Sequence, residues 1–152
     1  MKFLISANAG EALGRISKIA SGGELSRIML AMKTVFSKND PIETMVFDEI
    51  DTGVSGIAAQ RVGEKMSDLS RGKQVLCITH LPQIAAIADN HDLIEKTERN
   101  GRTYTEVREL DRKGRALELA RMHGGDNISE LTLASAEEQL LAADKYRLTR
   151  NN

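Results

Sequence analysis

The chain is 152 residues long, with 21 Lys and Arg against 22 Asp and Glu, a formal net charge of -1, 41% hydrophobic residues and 28% charged residues. This balance excludes the disordered and collagen-like classes, and it lacks the basic excess by which a polyanion-binding surface usually declares itself. A single domain over 1–152 is expected, with a core of Leu, Ile, Val, Met and Ala because aromatic residues make up only 3%.

In chain order, Phe3-Leu4-Ile5 is a short apolar run stopped by the turn signal Asn8-Ala9-Gly10, which predicts a brief strand. The run is too short for a signal-peptide core, and nothing later approaches the roughly 20 apolar residues of a membrane helix. A soluble cytoplasmic protein with no membrane partner is expected. Ser21-Gly22-Gly23-Glu24 has the Ser-x-x-Glu form of a capping box, in which Ser21 caps the N–H of Glu24 and the Glu24 side chain returns to the N–H of Ser21. Behind it Leu25, Ile28, Met29, Met32, Val35 and Phe36 fall on one face of a helix, and this stripe is expected to pack inward. Asn39-Asp40-Pro41 breaks the chain, and Thr44-Met45-Val46-Phe47 reads as a buried strand ending on Asp48 and Glu49.

After the turn-rich Asp51-Thr52-Gly53-Val54-Ser55-Gly56, the residues Ala58, Val62, Met66 and Leu69 predict a second helix, closed by Arg71-Gly72-Lys73. Val75-Leu76-Cys77-Ile78 is a second buried strand ending at Thr79-His80, and the lone Cys77 reads as a small core residue of a reducing compartment. Pro82 at a first-turn position opens a further helix through Ile84 and Ile87. Strand, helix, strand, helix in this order predicts parallel crossovers, hence an α/β fold with a mostly parallel sheet flanked by helices. Asn100-Gly101 between two β-prone runs is the strongest short hairpin signal, so an antiparallel hairpin is expected next. Helices over 116–122, stopped by Gly124-Gly125, and over 131–143, with Leu133, Ala136 and Leu140 on one face, complete the chain.

The polar clusters fall at the C-terminal ends of the predicted parallel strands or at a helix N-terminus, where open α/β sheets place ligands. Taken alone, Ser21 to Glu24 is an ordinary cap. Two glycines after Ser21 nevertheless let backbone approach a phosphate, and the exposed N–H groups at the positive helix end favour an anion. Asp48 and Glu49 leave their strand in different directions, so one carboxylate can hold Mg²⁺ through water while the other orients a nucleophilic water. An isolated Asp-Glu pair is more often a solvated strand end. His80 by itself is an ordinary histidine at a helix start; if it shares one sheet rim with Asp48 and Glu49, its imidazole reaches a γ-phosphate or the attacking water. His91 and His123 have no partner pattern and read as surface or capping residues, and no zinc site is expected.

Together and in this order, Ala20-Ser21-Gly22-Gly23-Glu24-Leu25-Ser26-Arg27, Met45-Val46-Phe47-Asp48-Glu49, Asp51-Thr52-Gly53-Val54-Ser55-Gly56 and Ile78-Thr79-His80 resemble the signature motif, Walker B strand, D-loop and switch histidine of the ABC ATPase superfamily. Within it the chain is similar to the RecN family of SMC-like DNA double-strand-break repair ATPases. The resemblance implies the C-terminal lobe of an ABC-ATPase head. It implies that Asp48 helps hold Mg²⁺, that Glu49 is the general base and that His80 senses the γ-phosphate. Ser21, Gly22, Gly23 and Glu24 would form the signature turn on ATP bound to a partner head, with Asp51 at the dimer seam. The implied partners are an N-terminal Walker A lobe of the same protein, a second head in a homodimer, and DNA through the full-length protein at the bacterial nucleoid.

The chain departs from the family's pattern in having no Gly-x-x-x-x-Gly-Lys-Ser/Thr run, the loop that makes most phosphate contacts. Alone it is expected to bind ATP poorly and to be inactive. It also lacks the family's N-terminal lobe and coiled coil, and Ala20 stands where many ABC proteins have leucine. These departures suggest a fragment of a longer protein, with Met1 an artificial or alternative start. The alternatives are a head segment of another SMC-like protein and a non-catalytic dimerisation module. A transporter subunit fits less well, because Glu24-Leu25-Ser26 and Ile50-Asp51-Thr52-Gly53 depart from that pattern.

Overall fold

A computed structural model of the chain describes residues 4–6, 10, 12–16, 21–37 and 40–149. Phe3, the Asn8-Ala9 turn, Ala20 and Asn39 lie outside the described residues. Length alone led to an expectation of one domain; the chain divides into two compact units, Met1–Thr79 and His80–Asn152.

In the first unit, β1 (Leu4–Ile5) and β2 (Gly14–Arg15) pair antiparallel. Helix α1 (Gly22–Phe36) begins at the Ser21 capping box. Strand β3 (Thr44–Phe47), helix α2 (Gly56–Leu69) and strand β4 (Gln74–Cys77) then make a crossover unit. β3 and β4 run parallel in register from Thr44 opposite Gln74 to Phe47 opposite Cys77. The ladder extends at both ends, where the Gln74 N–H donates to Glu43 O at 2.7 Å and the Ile78 N–H donates to Phe47 O at 3.0 Å. Leu30, Met45, Phe47, Ile50, Ala59, Met66 and Leu69 are the buried apolar residues of this unit.

Three expectations about this unit need correction. The described strands form three separate two-stranded sheets, of which one is parallel, so the sheet is not mostly parallel. The physical reason is that each apolar run yields a strand of only four residues with a single neighbour. Parallel sheets are normally covered on both faces, yet Val46 is 64% exposed and Leu76 and Ile78 are also open, while the alternate Met45 and Phe47 are buried. Nor does the α1 stripe pack inward: Leu25, Met29, Val35 and Phe36 are exposed and the helix buries Gly23 and Leu30 instead. In α2 Met66 and Leu69 are buried as expected and Val62 is half-buried, but Ala58 is exposed and Ala59 is buried in its place.

The second unit holds α3 (Pro82–Ile87), a hairpin of β5 (Asp92–Arg99) and β6 (Arg102–Glu109), α4 (Arg112–Gly124) and α5 (Glu130–Thr149). At the hairpin tip Asn100 and Gly101 have φ of 54 and 69, the left-handed pair that a tight two-residue turn requires. At its base the Leu110 N–H donates to His91 O at 2.9 Å. Asp111 caps α4 by accepting the Gly114 N–H at 2.7 Å, and Gly125, at φ 72, ends that helix. The last helix runs to Thr149, past the expected end at 143. Ala85, Ala86, Ala116, Leu119, Ala120, Ala136 and Leu140 form the core, with Met122 and Leu133 against it. Two arginines close the C-terminal end of α3. Arg115 donates to Ala86 O at 3.1 Å, Ala88 O at 2.7 Å and Asp89 O at 3.1 Å, and Arg147 donates to Ile87 O at 3.1 Å and Ala88 O at 2.6 Å. They satisfy carbonyls that the helix end leaves without intrahelical partners.

Candidate active site

The first turn of α1 is fixed by the expected capping box. The Ser21 N–H and hydroxyl both donate to Glu24 Oε2, at 2.8 and 2.9 Å, and the Glu24 N–H donates to Ser21 Oγ at 3.4 Å. These bonds, the backbone one first, hold the Glu24 carboxyl below the usual carboxylate range. Ser21 and Gly22 are exposed, but Gly23 is buried. A Cβ at Gly23 would stand 2.7 Å from Thr52 O and 3.0 Å from Glu49 O, so this glycine lets helix backbone lie on loop backbone. A Cβ at Gly22 would stand 2.9 Å from Glu49 Oε2. Gly22 and Gly23 therefore share one cluster with the loop after β3.

The loop that follows β3 is held from several sides. Asp48 and Glu49 are both exposed, and Asp48 Oδ1 accepts the Glu49 N–H at 2.9 Å. Glu49 has φ 58, in the left-handed region that a non-glycine residue rarely enters. The Thr52 N–H donates back to Glu49 O at 3.1 Å. From α1, Ser26 Oγ donates to Asp48 O at 3.2 Å, and Arg27 Nη1 donates to Ile50 O at 3.2 Å and Thr52 O at 2.8 Å. Sequence reading assigned Ser26 and Arg27 no role. The available signal was helical spacing, since Gly22 and Ser26, like Gly23 and Arg27, stand one turn apart on the face that meets this loop.

The Asp51 side chain is packed within its own unit. The residue is 4% exposed and its Oδ2 accepts the Thr79 hydroxyl at 2.7 Å, tying the loop to the chain beyond β4. Burial pushes the neighbouring Cys77 thiol up to about 12, with Asp51 and Asp48 adding to the effect. His80 is exposed, three residues past the end of β4, and begins the second unit. His91 is half-buried, more enclosed than a surface residue, and desolvation, followed by the Arg115 charge, lowers its imidazole pKa. His123 Nε2 lies 2.9 Å from Gln139 Oε1.

Among the described residues no group of three or more His, Cys, Asp or Glu side chains could hold a metal ion by itself. Magnesium is typically bound through one or two carboxylates, with waters and substrate phosphates completing its shell. Asp48, exposed at a strand end, offers such a carboxylate.

No family model matches the chain. Among curated proteins it is 50% identical over 149 residues to the DNA repair protein RecN of Bacillus subtilis, covering 98% of this chain and 26% of that protein. It is 49% identical over 147 residues to RecN of Treponema pallidum, covering 97% and 26%, and 50% identical over 135 residues to RecN of Deinococcus radiodurans, covering 89% and 23%. A solved chain, described under structural biochemistry of ATP-driven dimerization and DNA-stimulated activation of SMC ATPases, matches with a TM-score of 0.53 and 26% identity over 78% of this chain and 71% of that one. The chain thus spans about a quarter of the length of the curated relatives it matches. Over that span, at their C-terminal side, it belongs to the RecN family of DNA repair proteins.

Proposed function

We propose that this chain acts as the C-terminal segment of a RecN-like ATPase head in DNA double-strand-break repair and recombination. It supplies the signature turn, Walker B carboxylates, D-loop and switch histidine for ATP hydrolysis between two heads of a dimer. The observation that carries this reading is the close packing of the Gly22-Gly23 turn on the Glu49–Thr52 backbone, which puts an anion-seeking helix end and the loop after β3 in one fixed cluster.

Asp48 would help hold Mg²⁺, which when bound would supply positive charge against the phosphates of ATP. Glu49 accepts the proton of the attacking water as its oxygen bonds to the γ-phosphorus and the bond to the bridging oxygen breaks. The exposed Ser21-Gly22 start of α1, where a helix leaves its N–H groups without intrahelical partners, faces the γ-phosphate of ATP held by the partner head, while Gly23, buried against the Glu49–Thr52 backbone, sets how closely that turn lies on the loop. His80 senses the γ-phosphate of the ATP bound in its own head. Asp51 lies at the dimer seam with its carboxylate bonded to Thr79, and Thr52, Gly53, Ser55 and Gly56 are the exposed residues of the D-loop. The uncovered apolar residues Val46, Leu76 and Ile78 of the sheet, with Met29 and Phe36 of α1, suit coverage by the Walker A lobe, because relatives are about four times longer than this chain.

The chain alone is expected to show no ATP hydrolysis above a Glu49→Gln control. Adding the Walker A lobe should restore turnover that depends on Glu49. A complete head whose turnover ignores Glu49→Gln would remove the basis of this reading.

A further inference from the structure

We infer that Arg27, assisted by Ser26, is a positioning residue for the reaction: it fixes the backbone from which Glu49 projects, and so ties the first turn of α1 to the placement of the general base. The inference rests on the ATPase reading for what Glu49 does, and on geometry for the rest. Glu49 stands at φ 58, a conformation that an L residue with a side chain leaves unless its surroundings hold it there. The holding groups come from α1. Ser26 Oγ binds the carbonyl of Asp48, before Glu49, at 3.2 Å; Arg27 Nη1 binds the carbonyls of Ile50 and Thr52, after it, at 3.2 and 2.8 Å. The turn is thus pinned on both sides of the strained residue by one helix face.

That same face carries Gly22 and Gly23 one turn earlier, with Gly23 pressed against the Glu49 and Thr52 carbonyls. No slack separates the two segments, so a displacement of the α1 start by a bound phosphate moves the carbonyl anchors of Glu49 with it. Arg27 suits the task better than lysine, since its planar, always charged guanidinium holds a fixed direction toward two carbonyls. A ligand contact at the signature turn is in this way read out at the base of the same chain.

The test uses the full-length protein. Arg27→Ala is expected to lower kcat for ATP roughly ten- to hundred-fold with the KM for ATP changed less than about two-fold, the pattern of a misplaced group rather than lost binding. Arg27→Lys should recover part of the rate. In a Glu49→Gln background Arg27→Ala should add almost nothing, because both changes act through one group. In the chain itself, Arg27→Ala should speed amide exchange at Thr52, whose N–H bonds to Glu49 O, and leave Ile78 on the β-ladder unchanged. An unchanged kcat, a loss confined to KM, or losses that multiply with Glu49→Gln would overturn the inference. Should Glu49→Gln itself leave turnover intact, the ATPase reading fails, and unchanged exchange at Thr52 would then separately show that Arg27 does not hold the turn.

Discussion

Gly23 and Thr52 meet backbone to backbone: the site of a missing Cβ on Gly23 lies 2.7 Å from the Thr52 carbonyl oxygen. Gly23→Ala must push α1 off the loop, which is expected to cost about 1–3 kcal/mol of stability, as overpacking of a close contact does. At Gly22 the nearest obstacle is the end of the flexible Glu49 side chain, 2.9 Å from the Cβ site. Gly22→Ala should therefore be near neutral or slightly stabilising, because alanine recovers up to about 1 kcal/mol of helix propensity over glycine. Denaturant midpoints of the two variants check this contrast; equal losses would contradict it.

Ser21→Ala removes one side of the capping box and is expected to lower stability by about 1 kcal/mol near neutral pH. The loss should be pH-dependent. Bonds from Ser21 hold the folded Glu24 pKa below its ordinary value. Their contribution is therefore fully present above the unfolded carboxyl pKa and vanishes as pH falls through the lower folded value. The gap between wild type and Ser21→Ala should narrow in acid, below about pH 4. Melting curves across that range decide it, and a gap that widened would reverse the assigned sign.

Arg115→Ala strips donors from carbonyls at the end of α3 in a buried setting and is expected to destabilise the second unit by about 2–3 kcal/mol. Burial, and then the nearby Arg147 and Arg112 charges, lower the Arg115 pKa, so its charge is held there at some cost. The expectation is that the bonds outweigh that cost. Exchange rates at the α3 amides, measured beside the unfolding midpoint, locate the effect. A variant as stable as the parent would show that desolvation cancels the bonds.

Local features were legible in the sequence, and features built from distant partners were not. The capping box and the Asn100-Gly101 turn depend on residues at most three apart, and both stand where they were expected. The pairing of β3 with β4 followed from strand, helix, strand order. The α1 stripe failed for a different reason: periodicity reports that a face is apolar, not that anything in this chain covers it. Leu25 and Val35 remain exposed for want of a partner surface within their unit. Arg27 looked like a solvated helix residue because its acceptors are backbone carbonyls 23 and 25 residues away, which carry no residue-type signal. The inward turn of Asp51 likewise depends on Thr79, 28 residues on. Adjacent charges near a strand end can be found by reading a chain; which way each one points cannot.

The six-residue α3 has a further consequence for how the protein is made. Isolated helices shorter than about 12 residues are marginal in water, and the carbonyl of Ala88 waits for donors that lie 27 and 59 positions downstream. A ribosome therefore delivers residues 82–87 long before Arg115 and Arg147 can reach them. This stretch is synthesised first in its unit yet is closed late, since a nascent chain halted ahead of position 147 lacks one of the two arginines that bind the carbonyls at its end.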